Sequence, residues 1–288
     1  MTFRSEHDPE YVQLASLDRW VDLPVDSDAW DRYEKRLSAV REQEPDTPVP
    51  TDELKRTLLA AAVNTGAIEG LHNADRGLTQ TAMEHAAAWQ PVLRSAEGEE
   101  AEAHVAAALA GYELALDAAR GSMSPSEAWI RRLHEVVCAG QSVIEVETPV
   151  GRQEQHFLTG SYKTAPNHVL RPDGSVHAYC PVDLVPSEMG RFINALNSES
   201  FATLHPAVQA AFAHHGLAYT HPFQDGNGRV ARVLASVYLL RGPSVPLIVY
   251  PDQVLSYHRS LRLADEGRLC GVRQLQLRPS SGRYGPCG

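Results

Sequence analysis

Residues 221–232 read His221-Pro222-Phe223-Gln224-Asp225-Gly226-Asn227-Gly228-Arg229-Val230-Ala231-Arg232, and the fold of the chain is best read outward from them. Before the stretch, His205 to Thr220 carries Val208, Ala211, Phe212 and Leu217 at helical spacing. After it, Val230 to Arg241 carries Val233, Leu234, Val237 and Leu240 in the same pattern. The stretch therefore joins two helices. Gly226-Asn227-Gly228 cannot easily continue the first of them and reaches positive φ without strain, so the N–H groups of the loop are able to converge at the start of the second. Such a helix start attracts anions.

The side chains around that cradle suit phosphate chemistry. Arg229 and Arg232 stand three apart at the head of the second helix, share a face, and are expected to reach the outer phosphates of a nucleotide. Asp225 offers a hard oxygen, which suits Mg2+ bridging those phosphates better than a softer metal. His221, at the end of the first helix, has an imidazole able to take a proton from an attacking hydroxyl. Together they describe phosphoryl or nucleotidyl transfer.

The stretch resembles the signature of the Fic family, H-x-F-x-[DE]-G-N-G-R-x-x-R, at every fixed position. The resemblance implies an all-α fold, a Fic-type helical bundle with a small β-hairpin flap beside the active site, and transfer of AMP from ATP to a protein hydroxyl. It implies His221 as the general base and Asp225 as the Mg2+ ligand. Asn227, with the backbone of Gly226 and Gly228, would hold the α-phosphate region, and Arg229 and Arg232 the β- and γ-phosphates. Phe223 matches a buried anchor of the loop.

Two further stretches extend the resemblance. Thr65-Gly66-Ala67-Ile68-Glu69-Gly70 fits [ST]-x-x-x-E-[GN], which in many Fic proteins is an inhibitory segment whose Glu pairs with the second arginine of the signature, here Arg232. It closes a helix-like run from Thr51 to Ile68 with Leu54, Leu58, Leu59 and Ala62 on one stripe; the plain alternative is a helix ended by Gly70 with a solvated Glu69. Downstream, Gly160-Ser161-Tyr162-Lys163, Asn167-His168-Val169-Leu170, the turn Pro172-Asp173-Gly174-Ser175 and Val176-His177-Ala178-Tyr179 read as a hairpin. In Fic proteins such a flap pairs with the target segment as an added strand, which would make Tyr162, Lys163 and Val169 target-positioning residues. Many members have Arg where Lys163 stands.

Composition narrows the classes. The net charge of −10 and pI near 5.7 argue against nucleic acid as a partner. No apolar run approaches membrane-spanning length and the polar start, Met1 to Glu10, does not resemble a signal peptide. Cys138, Cys180, Cys270 and Cys287 are scattered without a C-x-x-C pair, a usage that fits a reducing cytoplasm.

The chain divides into an N-terminal arm and linker (1–50), an N-terminal helical region with the inhibitory helix (51–120), a Fic catalytic core (121–268) and a loose C-terminal tail (269–288). An acidic helix is expected over Ser27 to Glu44, ended by Pro45, Pro48 and Pro50. Others are expected near 51–68, 78–90, 97–120, 125–139, 186–197, 206–220, 228–241 and 252–266. Ser124-Pro125-Ser126-Glu127 reads as a capping box with Pro at the first helical position. His214 and His215 read as a packed or surface pair, since adjacent helical residues diverge and no H-E-x-x-H spacing exists.

The resulting expectation is a Mg2+- and ATP-dependent transfer of AMP to a Tyr, Ser or Thr hydroxyl of a target protein, held in check by Glu69. Removal of AMP, a Fic-type phosphotransferase, and a catalytically idle nucleotide-sensing or toxin and antitoxin module stay open, as does self-association. The phosphotransferase branch has Lys where Gly228 stands.

Overall fold

The computed structural model describes residues 11–269 apart from 24, 26–29, 32–34, 36–50, 149–150, 171–173, 175 and 243–244. Most of the expected acidic helix, its proline linker, the tail beyond 269, and most of the Pro172–Ser175 turn therefore lie outside the described residues; Trp30, Asp31 and Lys35, which are described, are helical.

The helix after the signature loop is the axis of the fold. Its span, α10 (Asn227–Arg241), is apolar on every side once past its two leading arginines: Val230, Ala231, Val233, Leu234, Ala235, Val237 and Tyr238 are all buried. A helix apolar all round belongs inside a bundle. It packs on α9 (Pro206–Thr220) and α5 (Glu99–Arg120), and also meets α6 (Glu127–Val137) and α2 (Thr51–Ile68). Around this centre stand a short α1 (Asp18–Val21), α3 (Arg76–Glu84), α4 (Trp89–Glu97), α7 (Val185–Leu196), the single turn α8 (Glu199–Ala202) and α11 (Val254–Asp265). Behind α9 the rings of Trp20, Phe192 and Phe201 close around Phe212.

Most expected helices appear within a few residues of their expected bounds, and the departures have physical causes. The helix expected over 78–90 is broken into α3 and α4, with the chain turning at His85–Ala88, where the Ala88 N–H bonds to the His85 carbonyl at 2.7 Å. Pro91 forces this break, because proline has no N–H to give the preceding turn and is tolerated only in the first turn of a helix. The cap of α6 falls two residues later than expected. Ser126, whose hydroxyl accepts from the Trp129 N–H at 3.2 Å, is the N-cap, and Pro125 lies outside the helix.

Two antiparallel hairpins complete the fold. The expected flap consists of β3 (Val169–Leu170) and β4 (Val176–His177), with Val169 opposite His177. A second hairpin, β1 (Val143–Thr148) with β2 (Gly151–His156), was not expected. The sequence Gly-Arg-Gln-Glu-Gln-His of β2 is exposed throughout and has no apolar alternation to mark it as a strand. No described helix is long and apolar enough to cross a membrane.

Candidate active site

His221 caps α9 in the left-handed conformation (φ 51°, ψ 57°), and its N–H bonds to the Leu217 carbonyl at 2.9 Å. Non-glycine residues seldom adopt that conformation, so the chain reverses here at some cost in strain. The Nδ1 atom lies 3.0 Å from the Ala218 carbonyl. A carbonyl only accepts, so Nδ1 carries the proton and Nε2 keeps its lone pair. The Tyr179 ring stacks on the imidazole at 3.6 Å with 12° between planes. Burial pushes the His221 pKa down to about 3, and the nearby Lys163 ammonium adds to the shift against the pull of the Ala218 carbonyl and Asp225. The imidazole is neutral and Nε2 is its basic atom.

The loop that follows is closed by its own asparagine. Asn227 Oδ1 accepts from the Phe223 N–H at 2.9 Å, and its Nδ2 donates to the Phe223 carbonyl at 2.8 Å. These two bonds close the loop and use one of the two Nδ2 hydrogens, so the other and the backbone N–H groups remain as donors. Phe223 is buried beneath, stacked on His134 of α6 at 3.9 Å. Gly226, at φ 77°, sits against Cys138 so closely that a β-carbon would strike the sulfur. From the other side Lys163 N–H donates to the Pro222 carbonyl at 2.9 Å, and its ammonium to Asn167 Oδ1 at 2.7 Å. Asn167 Nδ2 in turn reaches the Phe223 carbonyl at 2.8 Å. His134 accepts from the Gly160 N–H through Nδ1 at 2.7 Å, so its Nε2 must be the protonated nitrogen, donating to the Asp225 carbonyl at 3.0 Å.

The two signature arginines part company despite sharing a helical face. Arg229 is buried and turns back toward the loop, with Nη2 2.6 Å from Gln141 Oε1 and 3.3 Å from Asp225 Oδ2. Gln141 Nε2 also donates to Asp225 Oδ2 at 2.9 Å. Arg232 turns the other way, toward α2. Its Nε reaches Thr65 Oγ1 at 2.7 Å, and its Nη2 reaches the Thr65 carbonyl at 3.1 Å and Glu69 Oε1 at 2.5 Å.

Glu69, Val169, His221, Gly228 and Arg232 line a single cavity of about 330 Å³, closed by Tyr179 of the flap and by α11. A β-carbon on Gly228 would collide with the Glu69 carboxylate. The other expected site residues lie around this cavity without lining it. Thr65 holds Arg232 from behind, Gly70 ends the α2 turn at φ 74°, and Asn227, Arg229 and Gly226 build the loop. Tyr162 and Lys163 point inward: Tyr162 packs near Phe223 at 5.6 Å and Lys163 is buried, so of the three expected flap residues only Val169 is exposed. Asp225 keeps 41% of its side chain exposed. No group of three or more metal-binding side chains occurs among the described residues. One hard, exposed carboxylate nevertheless fits Mg2+, which is commonly held by one or two carboxylates with phosphate oxygens and water.

His134, Gln141, Cys138 and Asn167 are supports that sequence reading missed. Only His134 left a trace, as a polar residue on the apolar stripe of Ile130, Leu133 and Val137.

Residues 124–239 match the model of the Fic/DOC family. The chain carries a Fic domain. Proteins named protein adenylyltransferase Fic from Drosophila melanogaster and Drosophila erecta are each 47% identical to it over 79 residues, a match covering 27% of this chain and 16% of theirs. The fold resembles a Fic domain containing signaling protein from Bacteroides thetaiotaomicron, with a TM-score of 0.60 at 20% identity over 90% of this chain and 88% of that one. It also resembles a Fic-1 fragment from C. elegans, with a TM-score of 0.57 at 22% identity over 86% and 68% of the two chains.

The Fic loop generates two expectations. Asn227→Ala orphans the buried Phe223 N–H, while the Phe223 carbonyl keeps its bond from Asn167, and should cost about 1–3 kcal/mol. Urea denaturation measures it, and a loss under about 0.5 kcal/mol would mean the loop closes without Asn227. Buried His134 and His214 have pKa values pushed down to about 4 and about 3, chiefly by burial. Their folded values lie below the ordinary one near 6.5, so the unfolded chain takes up protons first. Stability should be fully present above about pH 6.5 and fall toward pH 4, by about 1.4 kcal/mol per pH unit for each histidine. Denaturation midpoints that stay level between about pH 7 and pH 5 would contradict neutral burial.

Proposed function

We propose that the protein transfers AMP from ATP to a Tyr, Ser or Thr hydroxyl of a target protein, and that Glu69 restrains the reaction. The observation that carries this reading is the shared cavity, in which a neutral His221 with a basic Nε2 and the Arg232 guanidinium face one space at the head of α10. The relatives named protein adenylyltransferase support it over the stretch they share with this chain.

In this mechanism the target hydroxyl gives its proton to His221 Nε2 as its oxygen attacks the α-phosphorus. The bond from that phosphorus to the oxygen bridging to the β-phosphate breaks, and pyrophosphate leaves. Backbone N–H groups at the start of α10 stabilise the charge that builds on the phosphates, and Arg232 meets the terminal one. Asp225 would hold Mg2+, which would supply further charge neutralisation at the phosphates. The target segment would pair with the edge of the flap beside Val169.

Glu69 opposes this arrangement in two ways. Its carboxylate occupies the Arg232 guanidinium, and it places a negative charge where a terminal phosphate would lie. ATP bound against it would take a pose unsuited to in-line attack.

With α-labelled ATP and Mg2+, the protein should label itself or proteins of a lysate, and His221→Ala should reduce the rate by about 10²–10⁴-fold, the range of a lost general base. Transfer of the γ- but not the α-label would identify a phosphotransferase and overturn the reading. Glu69→Gly should speed labelling by about 10–1000-fold, equivalent to about 1.4–4 kcal/mol of relieved misalignment. A folded Glu69→Gly protein that labels no faster than the parent would leave the ion pair without a regulatory role.

A further inference from the structure

Arg232 has one partner that neither the signature nor the inhibitory segment contains. Its Nη1 donates to the Tyr257 hydroxyl at 3.1 Å, and the same hydroxyl lies 2.9 Å from His214 Nε2. All three residues are buried. Tyr257 comes from α11 and His214 from α9, whereas Thr65 and Glu69, the other partners of the guanidinium, belong to α2 and the turn beyond it. Among the described residues, Tyr257 is thus the one hydrogen-bonding partner of Arg232 that does not come from the inhibitory segment.

The direction of these bonds follows from donor counting. Arginine only donates, so the Tyr257 oxygen accepts from Nη1. That leaves its single hydrogen in need of an acceptor in a dry site, and His214 Nε2 supplies one when the ring carries its proton on Nδ1. Burial keeps His214 neutral, with Arg232 and His215 reinforcing the effect, and holds the Tyr257 phenol protonated. The relay His214, Tyr257, Arg232 therefore has one sense: His214 fixes where the phenol hydrogen points, and the phenol lone pair fixes where the guanidinium lies.

We propose that Tyr257, oriented by His214, is a positioning residue that keeps Arg232 aimed at the terminal phosphate of ATP once Glu69 has released it. The inference rests on the functional reading above and adds to it a second anchor, outside the region matched to the Fic/DOC model. Without the anchor, a guanidinium freed from Glu69 would be held by Thr65 alone and drawn toward α2, away from the nucleotide.

The test compares ATP with ADP, which lacks only the terminal phosphate, in calorimetric titrations of the full chain with Mg2+. His221→Ala/Glu69→Gly serves as the reference, so that no turnover disturbs the measurement. The reference should bind ATP about tenfold more tightly than ADP, the value of one charge-assisted contact. Adding Tyr257→Phe should bring the two affinities within about threefold while ADP binding changes by less than about twofold. Adding His214→Leu should do the same, and adding His214→Gln, whose carboxamide oxygen accepts the phenol hydrogen, should restore the preference for ATP. Should Tyr257→Phe fail to fold, the His214 pair decides on the same ratio. An unchanged ratio in a folded Tyr257→Phe protein, or an equal loss for both nucleotides, overturns the positioning role and leaves the functional reading standing. A reference protein that binds ATP no better than ADP, or binds neither, overturns both.

Discussion

Arg232 carries a full positive charge at the head of the most buried helix of the fold, with 2% of its side chain exposed. A guanidinium cannot shed its proton, so wherever it is buried it must be surrounded by acceptors. The arrangement of the molecule around α10 follows from that demand. The helix α2 comes in beside α5 and delivers Thr65 and Glu69, while α11 folds back over α9 and delivers Tyr257. Segments far apart in sequence are thereby drawn to one atom group, and the cavity is the space left between them.

The neighbouring arginine shows how finely the same helix face is divided. Arg229 lies one turn earlier and is equally buried, yet its partners are Gln141 and Asp225. It locks the carboxylate of the loop to the segment after α6, and with Asn227 and His134 it makes the anion cradle a rigid object before any ligand arrives. Rigidity here has a chemical use. Backbone N–H groups stabilise developing charge well only when they need not reorganise to do it. The two bonds between Asn227 and the Phe223 backbone contribute to this preorganisation.

The legibility of the sequence follows the range of the interactions. His221 to Arg232 is a local motif: its helix end, positive-φ glycine and helix start are each set by residues within a few positions, so loop, flanking helices and candidate base are all readable. The pairing of Glu69 with Arg232 spans 163 positions and was readable only through the resemblance of Thr65 to Gly70 to a known pattern. Tyr257, His134 and Gln141 follow no pattern of their own; they became part of the site because α11 and α6 pack where they do. The hairpin of β1 and β2 was hidden for another reason. Strands are read from alternation against a core, and β2 has no buried face. The break between α3 and α4 was within reach, since Pro91 states it, but Ala86-Ala87-Ala88 reads as a helix and masked it.

The contacts that hold Arg232 differ in what would have to move to break them. Thr65 lies inside α2, 1% exposed, and gives the guanidinium both its hydroxyl and its carbonyl. Losing those bonds means unpacking the helix from the bundle. Glu69 lies past the end of α2, on a turn in which the Glu69 and Gly70 N–H groups bond to the Gly66 and Ala67 carbonyls, and 30% of its side chain is exposed. Its carboxylate can leave by rotation about its own bonds, toward water that stabilises the charge it carries. A long side chain at a solvent margin gains rotamer freedom on release, which offsets part of the ion pair, whereas a buried threonine gains nothing comparable. The strongest single contact to Arg232 is thus also the one the fold can give up without disturbing α2, and Thr65 and Tyr257 remain to keep the charge from being stranded.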